Sequence, residues 1–193
     1  MLSLEESLKI LKETNALLEG HFILSSGLHS PQYVQCAQLM SKPSEAFKIC
    51  SSLSEKIKKE FKEFDLILSP AMGGIVVGYE IGRILDKETI FSERVKGEFK
   101  LRRDFFIKKD QKVLIVEDVI TTGKSSLECS KLVLDNKANI AGYACLINRS
   151  NGKSSIKGKI VSQVELNIPT YTEGNLPSSL AALKAVKPGS RNL

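Results

Sequence analysis

Between Val113 and Ser126 the chain reads Val113-Leu114-Ile115-Val116, then Glu117-Asp118, Val119-Ile120, and Thr121-Thr122-Gly123-Lys124-Ser125-Ser126. Four consecutive apolar residues predict a buried strand, and the residues from about Ser125 to Leu134 resume helical spacing. The turn between them offers backbone N–H groups and the positive end of a helix dipole, which together attract an anion. The hydroxyls of Thr121, Thr122 and Ser125 and the unhindered backbone of Gly123 suit a phosphate monoester. The two carboxylates, Glu117 and Asp118, can meet ribose hydroxyls or a metal. The chemistry implied is the binding of a phosphorylated sugar.

Gly123-Lys124-Ser125 also matches the end of a nucleotide-binding P-loop, but that motif requires glycine five positions before Gly123, where this chain has Asp118. A carboxylate there would repel a triphosphate. Two further segments carry chemistry. Pro70-Ala71-Met72-Gly73-Gly74 follows the apolar run Leu66-Ile67-Leu68 and brings small residues that let backbone amides approach an anion. Arg94-Val95-Lys96-Gly97-Glu98-Phe99-Lys100-Leu101-Arg102-Arg103 sets five basic residues around a glycine. Arg94 and Lys96 lie nearest its strand end.

The elements that must position these segments show in the hydrophobic spacing. Ser3 and Glu6 form a capping box, and Leu4, Leu8, Leu11 and Leu18 predict a first helix running to about Leu18 and closed by Gly20. Phe22-Ile23-Leu24 and Tyr33-Val34-Gln35 read as short strands around a turn at Ser26-Gly27. Pro43 opens a helix that buries Ala46, Cys50, Leu53 and Ile57 and leaves Lys56, Lys58, Lys59 and Glu60 in water. Apolar runs at 66–68, 89–91, 113–116 and 141–147 then alternate with helices at about 75–85 and 125–134. Lys159 to Leu166 reads as a last strand, and Asn175 with Pro177 opens a final helix carrying Leu180, Leu183 and Val186, stopped by Lys187-Pro188-Gly189. This alternation predicts a doubly wound α/β fold with a mainly parallel sheet flanked by helices, whose ligands sit beyond the carboxyl ends of the strands.

The 193 residues suit one domain, with a small hood from about 1–40 joined by part of the C-terminal segment, and an α/β core over about 41–165. Hydrophobic residues at 42% and charged residues at 26% exclude general disorder. The net charge of +6 is a mild excess without a long basic run, and an anionic small molecule accounts for it without a nucleic acid. No run approaches a membrane span, and Ser3-Leu4-Glu5-Glu6 replaces the basic start of a signal peptide, so a cytoplasmic protein with no membrane partner is expected. Cys36, Cys50, Cys129 and Cys145 lie too far apart for a zinc site and are expected to be reduced and structural.

The order hydrophobic strand, two acids, two apolar residues and Thr-Thr-Gly resembles the type I phosphoribosyltransferases. The N-terminal run Gly20-His21-Phe22-Ile23-Leu24-Ser25-Ser26-Gly27-Leu28-His29-Ser30-Pro31-Gln32-Tyr33 resembles the orotate members, and the resemblance continues through Ser69 to Gly74, Phe91 to Arg94, Leu146 to Arg149, and the closing Lys187-Pro188-Gly189-Ser190-Arg191. It departs from the better-known branch at Ser25 and Gly73, where lysines are common, so basic contacts must come from elsewhere.

This resemblance implies transfer of the phosphoribosyl group of 5-phosphoribosyl 1-diphosphate to orotate, giving orotidine 5'-phosphate and diphosphate in pyrimidine nucleotide (UMP) synthesis. It implies catalytic roles for Asp118, Glu117, Lys96 and Arg94. The sugar donor would be held by Glu117, Asp118, Val119, Ile120, Thr121, Thr122, Gly123, Lys124, Ser125 and Arg94, and orotate by Thr121 and Arg149. Magnesium is expected mainly through the diphosphate, with no side chain assigned as its ligand. The basic stretch is expected to be a mobile loop that closes over the partner's site in a homodimer. His21 and His29 are expected to brace the hood. A purine transferase and a nucleotide-responsive regulator are the alternatives, disfavoured by the N-terminal run and by the lack of a DNA-reading helix.

Overall fold

The computed structural model describes residues 1–24 and 26–188; Ser25 and the Gly189-Ser190-Arg191 end of the closing motif lie outside the described residues. The main sheet has six strands in the order β5-β4-β3-β6-β7-β8. These are β3 (Leu66–Pro70), β4 (Glu88–Val95), β5 (Glu98–Leu101), β6 (Lys112–Ile120), β7 (Asn139–Asn148) and β8 (Ile160–Glu165). All neighbours are parallel except the edge pair of β4 with β5. The doubly wound α/β expectation is met.

Because side chains alternate along a strand, each face of the sheet carries its own core. Leu114, Val116 and Ile67 pack on one face with Ile49, Leu53 and Ile57 of α3 (Pro43–Glu60) and Val77 and Ile81 of α4 (Gly73–Leu85). Val113, Ile115, Leu66 and Leu68 pack on the other with Cys129 and Val133 of α5 (Lys124–Asp135). Each such buried aliphatic side chain contributes about 1.5–3 kcal/mol against exposure.

Several elements differ from the sequence expectation. Helix α1 (Leu4–Glu13) keeps its Ser3–Glu6 capping box but ends at Glu13 rather than Leu18. Thr14 Oγ1 donates back to the Ile10 carbonyl and Asn15 takes a left-handed φ of 57°, which turns the chain so that Leu17 and Leu18 open β1 (Leu17–Ile23), with Gly20 inside that strand. β1 pairs antiparallel with β2 (His29–Val34), and a short unforeseen helix, α2 (Cys36–Met40), follows. The expected final helix shrinks to α6 (Ser178–Ala181), after a 3-10 turn at Glu173–Asn175. Only Leu180 of that helix is buried. Val186 instead belongs to β9 (Ala185–Val186), which pairs parallel with β1, so chain start and chain end share one small sheet.

Lys56 is not in water as expected. Its ammonium donates to the carbonyls of Ser162 and Gln163 at 3.2 and 2.9 Å, tying α3 to β8. The four cysteines are all free and buried, in accord with the structural role expected of them; burial pushes the Cys129 thiol up to about 12. No helix among the described residues is long and apolar enough to cross a membrane.

Candidate active site

The site forms where β3 and β6 end. Strand β6 does not stop at Val116 but continues through Glu117, Asp118, Val119 and Ile120, so the acids stand in a strand rather than in the turn beyond it. On one side β7 follows to the end, pairing Ile120 with Asn148; on the other, the pairing with β3 ends at Leu68 and Ile115. β3 itself runs on beside β4 to Pro70, which pairs with Ser92, and the chain then turns through Ala71 and Met72 to start α4 at Gly73.

This departure brings the two predicted turns together. An added Cβ on Gly73 would lie 2.7 Å from Cγ of Asp118, and one on Gly74 would lie 3.3 Å from the Val116 carbonyl. Only a residue without a side chain fits at Gly73 while Asp118 keeps its place. Burial raises the pKa of Asp118, opposed by hydrogen bonds from the Val119 and Asp118 backbone.

Glu117 is 9% exposed. Its Oε2 accepts a hydrogen bond from Ser126 Oγ at 2.5 Å. Burial pushes its carboxyl up to about 7, the Ser126 hydroxyl opposes that rise, and the neighbouring Asp118 adds to it. Charge on Glu117 is therefore poised, and an electropositive ligand would draw it to the ionised form.

Thr121, Thr122 and Lys124 are exposed and Ser125 is half-buried around the start of α5. Gly123 holds the N-cap position with a left-handed φ of 81°, and a Cβ there would meet Ile156 Cγ1 at 2.7 Å, two independent reasons for glycine. The N-cap residue offers no side chain to the helix; the Lys124 N–H makes a long contact of 3.4 Å to Thr122 Oγ1, and the N–H groups of Ser125 and Ser126 point from the first turn where a ligand can meet them.

Arg149 follows β7, its backbone N–H donating to the Ile120 carbonyl at 2.8 Å. Thr121 and Arg149 thus leave the ends of adjacent strands side by side. The Arg149 side chain is half-buried, its Nε has no partner among the described residues, and desolvation lowers its pKa. An anion completes such a group.

The basic stretch, expected as a mobile loop between two strands, is itself paired as a hairpin of β4 and β5. Val95 pairs with Glu98 across a two-residue turn, in which Lys96 and Gly97 have φ of 51° and 89°. Two successive positive φ values match the twist of antiparallel strands and close a hairpin tightly. The arm is braced: Glu93 accepts from Arg102 at 3.2 Å and Arg103 at 2.5 Å, and its pKa is lowered chiefly by the Arg103 hydrogen bond. Arg94 is also engaged, donating to the Gly97 carbonyl at 2.6 Å and to Glu128 of α5 at 2.5 Å, with its guanidinium 4.2 Å from the Phe99 ring centre. Among the described residues Lys96 makes no ion pair.

His21 and His29 stand apart from the acids, in the small sheet. His21 Nε2 lies 2.6 Å from His29 Nδ1, and His21 Nδ1 lies 3.0 Å from the Leu183 carbonyl, so the pair ties β1 and β2 to the C-terminal segment. Sequence reasoning missed Ser126 and Glu128, which hold Glu117 and Arg94. The available signal was a small polar residue on the inward face of a helix that packs against the acid-bearing strand.

The phosphoribosyl transferase domain family matches residues 37–175. Orotate phosphoribosyltransferase of Parvibaculum lavamentivorans is 46% identical over 98% of this chain and 98% of its own, and that of Erythrobacter litoralis is 44% identical over 97% of each. Among solved structures, orotate phosphoribosyltransferase from Aeropyrum pernix superposes with a TM-score of 0.72 at 25% identity, covering 82% of this chain and 92% of that one. With the acid pair, the capless helix start and the small-residue turn gathered at one sheet edge, the chain belongs to the phosphoribosyltransferase family, and within it to the orotate phosphoribosyltransferases.

Proposed function

We infer that this chain transfers the phosphoribosyl group of 5-phosphoribosyl 1-diphosphate to orotate, yielding orotidine 5'-phosphate and diphosphate in pyrimidine nucleotide synthesis. The observation that carries the reading is the contact of Asp118 with Gly73, which joins a sugar-orienting acid to a turn suited to diphosphate. Near-full-length identity to orotate phosphoribosyltransferases supports the acceptor.

The 5'-phosphate would sit on the first turn of α5, held by backbone N–H groups of 121–125 and by the hydroxyls of Thr121, Thr122 and Ser125 and the ammonium of Lys124. Glu117 and Asp118 would orient the ribose hydroxyls and, as anions, favour the positive charge that develops on the sugar as the bond to diphosphate breaks. Val119 and Ile120 supply the strand backbone between acids and phosphate turn. Thr121 and Arg149 would hold the orotate carboxylate and ring, and the Pro70–Gly74 turn with Lys96 and Arg94 would receive the diphosphate. As the orotate nitrogen bonds to the sugar carbon and diphosphate leaves, the proton on that nitrogen passes to solvent or to the departing diphosphate; no side chain is assigned to take it.

Magnesium fits as an ion carried on the diphosphate. The donors at the turn are oxygens, the class magnesium prefers, and Asp118 is the carboxylate placed to reach it. When bound, the ion would offset charge on the leaving group. Among the described residues no cluster of three or more His, Cys, Asp or Glu could hold an ion by itself.

The three-stranded sheet with α1 and α2 is read as the hood and the six-stranded sheet as the core of a single domain. A homodimer with shared sites is the proposed assembly, and the cytoplasm the proposed compartment. The decisive assay offers orotate, uracil, adenine, hypoxanthine and xanthine separately with the donor and magnesium. Loss of orotate alone is expected; turnover of a purine without orotate would overturn the reading.

A further inference from the structure

We infer that Ser126, on the first turn of α5, is a positioning residue for the transfer: its hydroxyl fixes the Glu117 carboxylate in the orientation that meets the ribose. The inference rests on the reading of Glu117 as a ribose-orienting acid.

Ser126 is fully buried, with no exposed surface, so its side chain acts through Glu117 rather than on substrate. The hydrogen bond from Oγ to Glu117 Oε2 is 2.5 Å long and joins α5 to β6. A carboxylate as buried as Glu117 depends on such donors, because water cannot replace them. Ser125, the preceding residue, is half-buried at the turn before α5, where the proposed function gives its hydroxyl to the phosphate. That leaves Ser126 as the constant donor.

Ser126 is itself held from behind. Ser130 Oγ donates to the Ser126 carbonyl at 2.9 Å and lies 2.8 Å from the Tyr143 hydroxyl, on β7. A serine hydroxyl has one proton, so with that proton given to Ser126 the Tyr143 hydroxyl is the donor to Ser130. The chain of bonds runs from β7 through α5 to the acid on β6. Ser130 and Tyr143 are 5% exposed each. A motion of Glu117 is therefore resisted by three elements, which is how a side-chain rotamer is kept within the narrow range that transfer chemistry needs.

The test separates ribose recognition from phosphate recognition. Calorimetric affinities for inorganic phosphate and for ribose 5-phosphate are measured on the wild-type protein, Ser126→Ala, Ser126→Cys, Ser126→Thr, Glu117→Gln and the Ser126→Ala/Glu117→Gln double variant, each checked for folding by circular dichroism. Wild-type protein is expected to bind ribose 5-phosphate more tightly than phosphate. Ser126→Ala should weaken the sugar phosphate by about tenfold, the scale of a hydrogen bond to a charged group, and leave phosphate affinity unchanged. Ser126→Cys, which keeps the volume and loses the strong donor, should match it, and Ser126→Thr should restore the preference. In the double variant the Ser126 change should add nothing to Glu117→Gln. Equal weakening of both ligands, or additive effects in the double variant, would overturn the inference and leave Ser126 as a packing residue of α5. A wild-type protein with no preference for ribose 5-phosphate would instead overturn the reading of Glu117, and the inference with it.

Discussion

The carboxyl group of Asp118 occupies the space that a side chain at Gly73 would need, 2.7 Å from the position of its Cβ. Gly73 has no positive φ that would require glycine, so the constraint is contact alone. Gly73→Ala is expected to lower kcat/KM by about tenfold to a hundredfold, the cost of displacing a reacting group by a fraction of an ångström to an ångström. Its melting temperature should hold or fall, since displacing the largely buried Asp118 carboxyl costs packing that alanine's better helix propensity at most offsets. Gly73→Lys, the residue common in the better-known branch, should lose activity more severely here. Wild-type kinetics in Gly73→Ala would show that Asp118 has room to move.

What could be read from the sequence divides along the range of the forces involved. The strand at Leu66, the helix from Pro43 and the phosphate turn at Thr121 to Ser125 follow from local periodicity and local turn chemistry, and all are where expected. Helical spacing overruns the end of α1 because Leu17 and Leu18 fit a helical face and a strand equally; the pairing of Leu17 with Val34 decides between them. Val186 likewise reads as helix until β1 is present to pair with it. Lys96 and Gly97 look like a loop because basic residues hide a two-residue turn whose conformation is set by the twist of β4 and β5. At the candidate site, residue types single out Glu117 and Asp118 as candidates, but no spacing rule announces that Ser126 or Glu128 reaches back across the fold.

The pH response of Glu117 follows from a folded-state value of about 7 against an ordinary value of 4.5. A carboxylate raised on folding binds its proton more tightly in the native state, so its contribution to stability is fully present below pH 4.5 and is lost as the pH rises through about 7. The loss is roughly 3 kcal/mol in the ligand-free protein. Activity is expected to run the other way, because in the proposed transfer the ionised form would face the sugar. The acid limb of kcat/KM against pH is therefore expected near 7, and Glu117→Gln should abolish that limb together with the corresponding stability change in urea titrations. A limb that survives the substitution would assign it to another group.

Lys96 and Arg94 should separate kinetically. Arg94 is held by Gly97 and Glu128, so its diphosphate contact must compete with a carboxylate, whereas Lys96 projects from the hairpin turn without an ion pair among the described residues. Lys96→Ala is expected to cost about a hundredfold in kcat, in line with loss of a group that stabilises developing charge. Arg94→Ala should cost less in kcat and mainly loosen the arm, seen as faster hydrogen exchange across 95–101. A larger kcat effect at Arg94 would reverse the assignment.

Arg149 presents a guanidinium whose buried Nε lacks a partner among the described residues, and leaving such a group unpaired is costly. Orotate binding would satisfy it. Arg149→Ala is expected to raise the KM for orotate by at least tenfold with little change in the KM for the sugar donor, and Arg149→Lys should rescue poorly because a point charge cannot form paired bonds to a carboxylate. Equal effects on both substrates would remove the assigned role.

The proposed homodimer has a surface to use. Phe47, Val76 and Tyr79 are exposed at 49%, 51% and 65% around a groove of about 350 Å³ between α3 and α4, lined also by Met40, Pro43 and Arg83. Met72, in the turn before α4, is 82% exposed at the head of the same helix, so a copy seated on this face would lie next to the candidate site. Exposed apolar surface of this kind marks association. Asp118→Asn subunits and Lys96→Ala subunits should each be nearly inactive. Mixed after dissociation, half of the dimers carry one of each, and one of their two sites pairs an intact acid with an intact arm only if the arm crosses to the partner. Activity should then recover to about a quarter of the wild-type value, as a two-fold assembly with shared sites requires. Tyr79→Glu in both subunits should abolish that recovery by separating the copies. Verified subunit exchange without recovery would confine each arm to its own subunit.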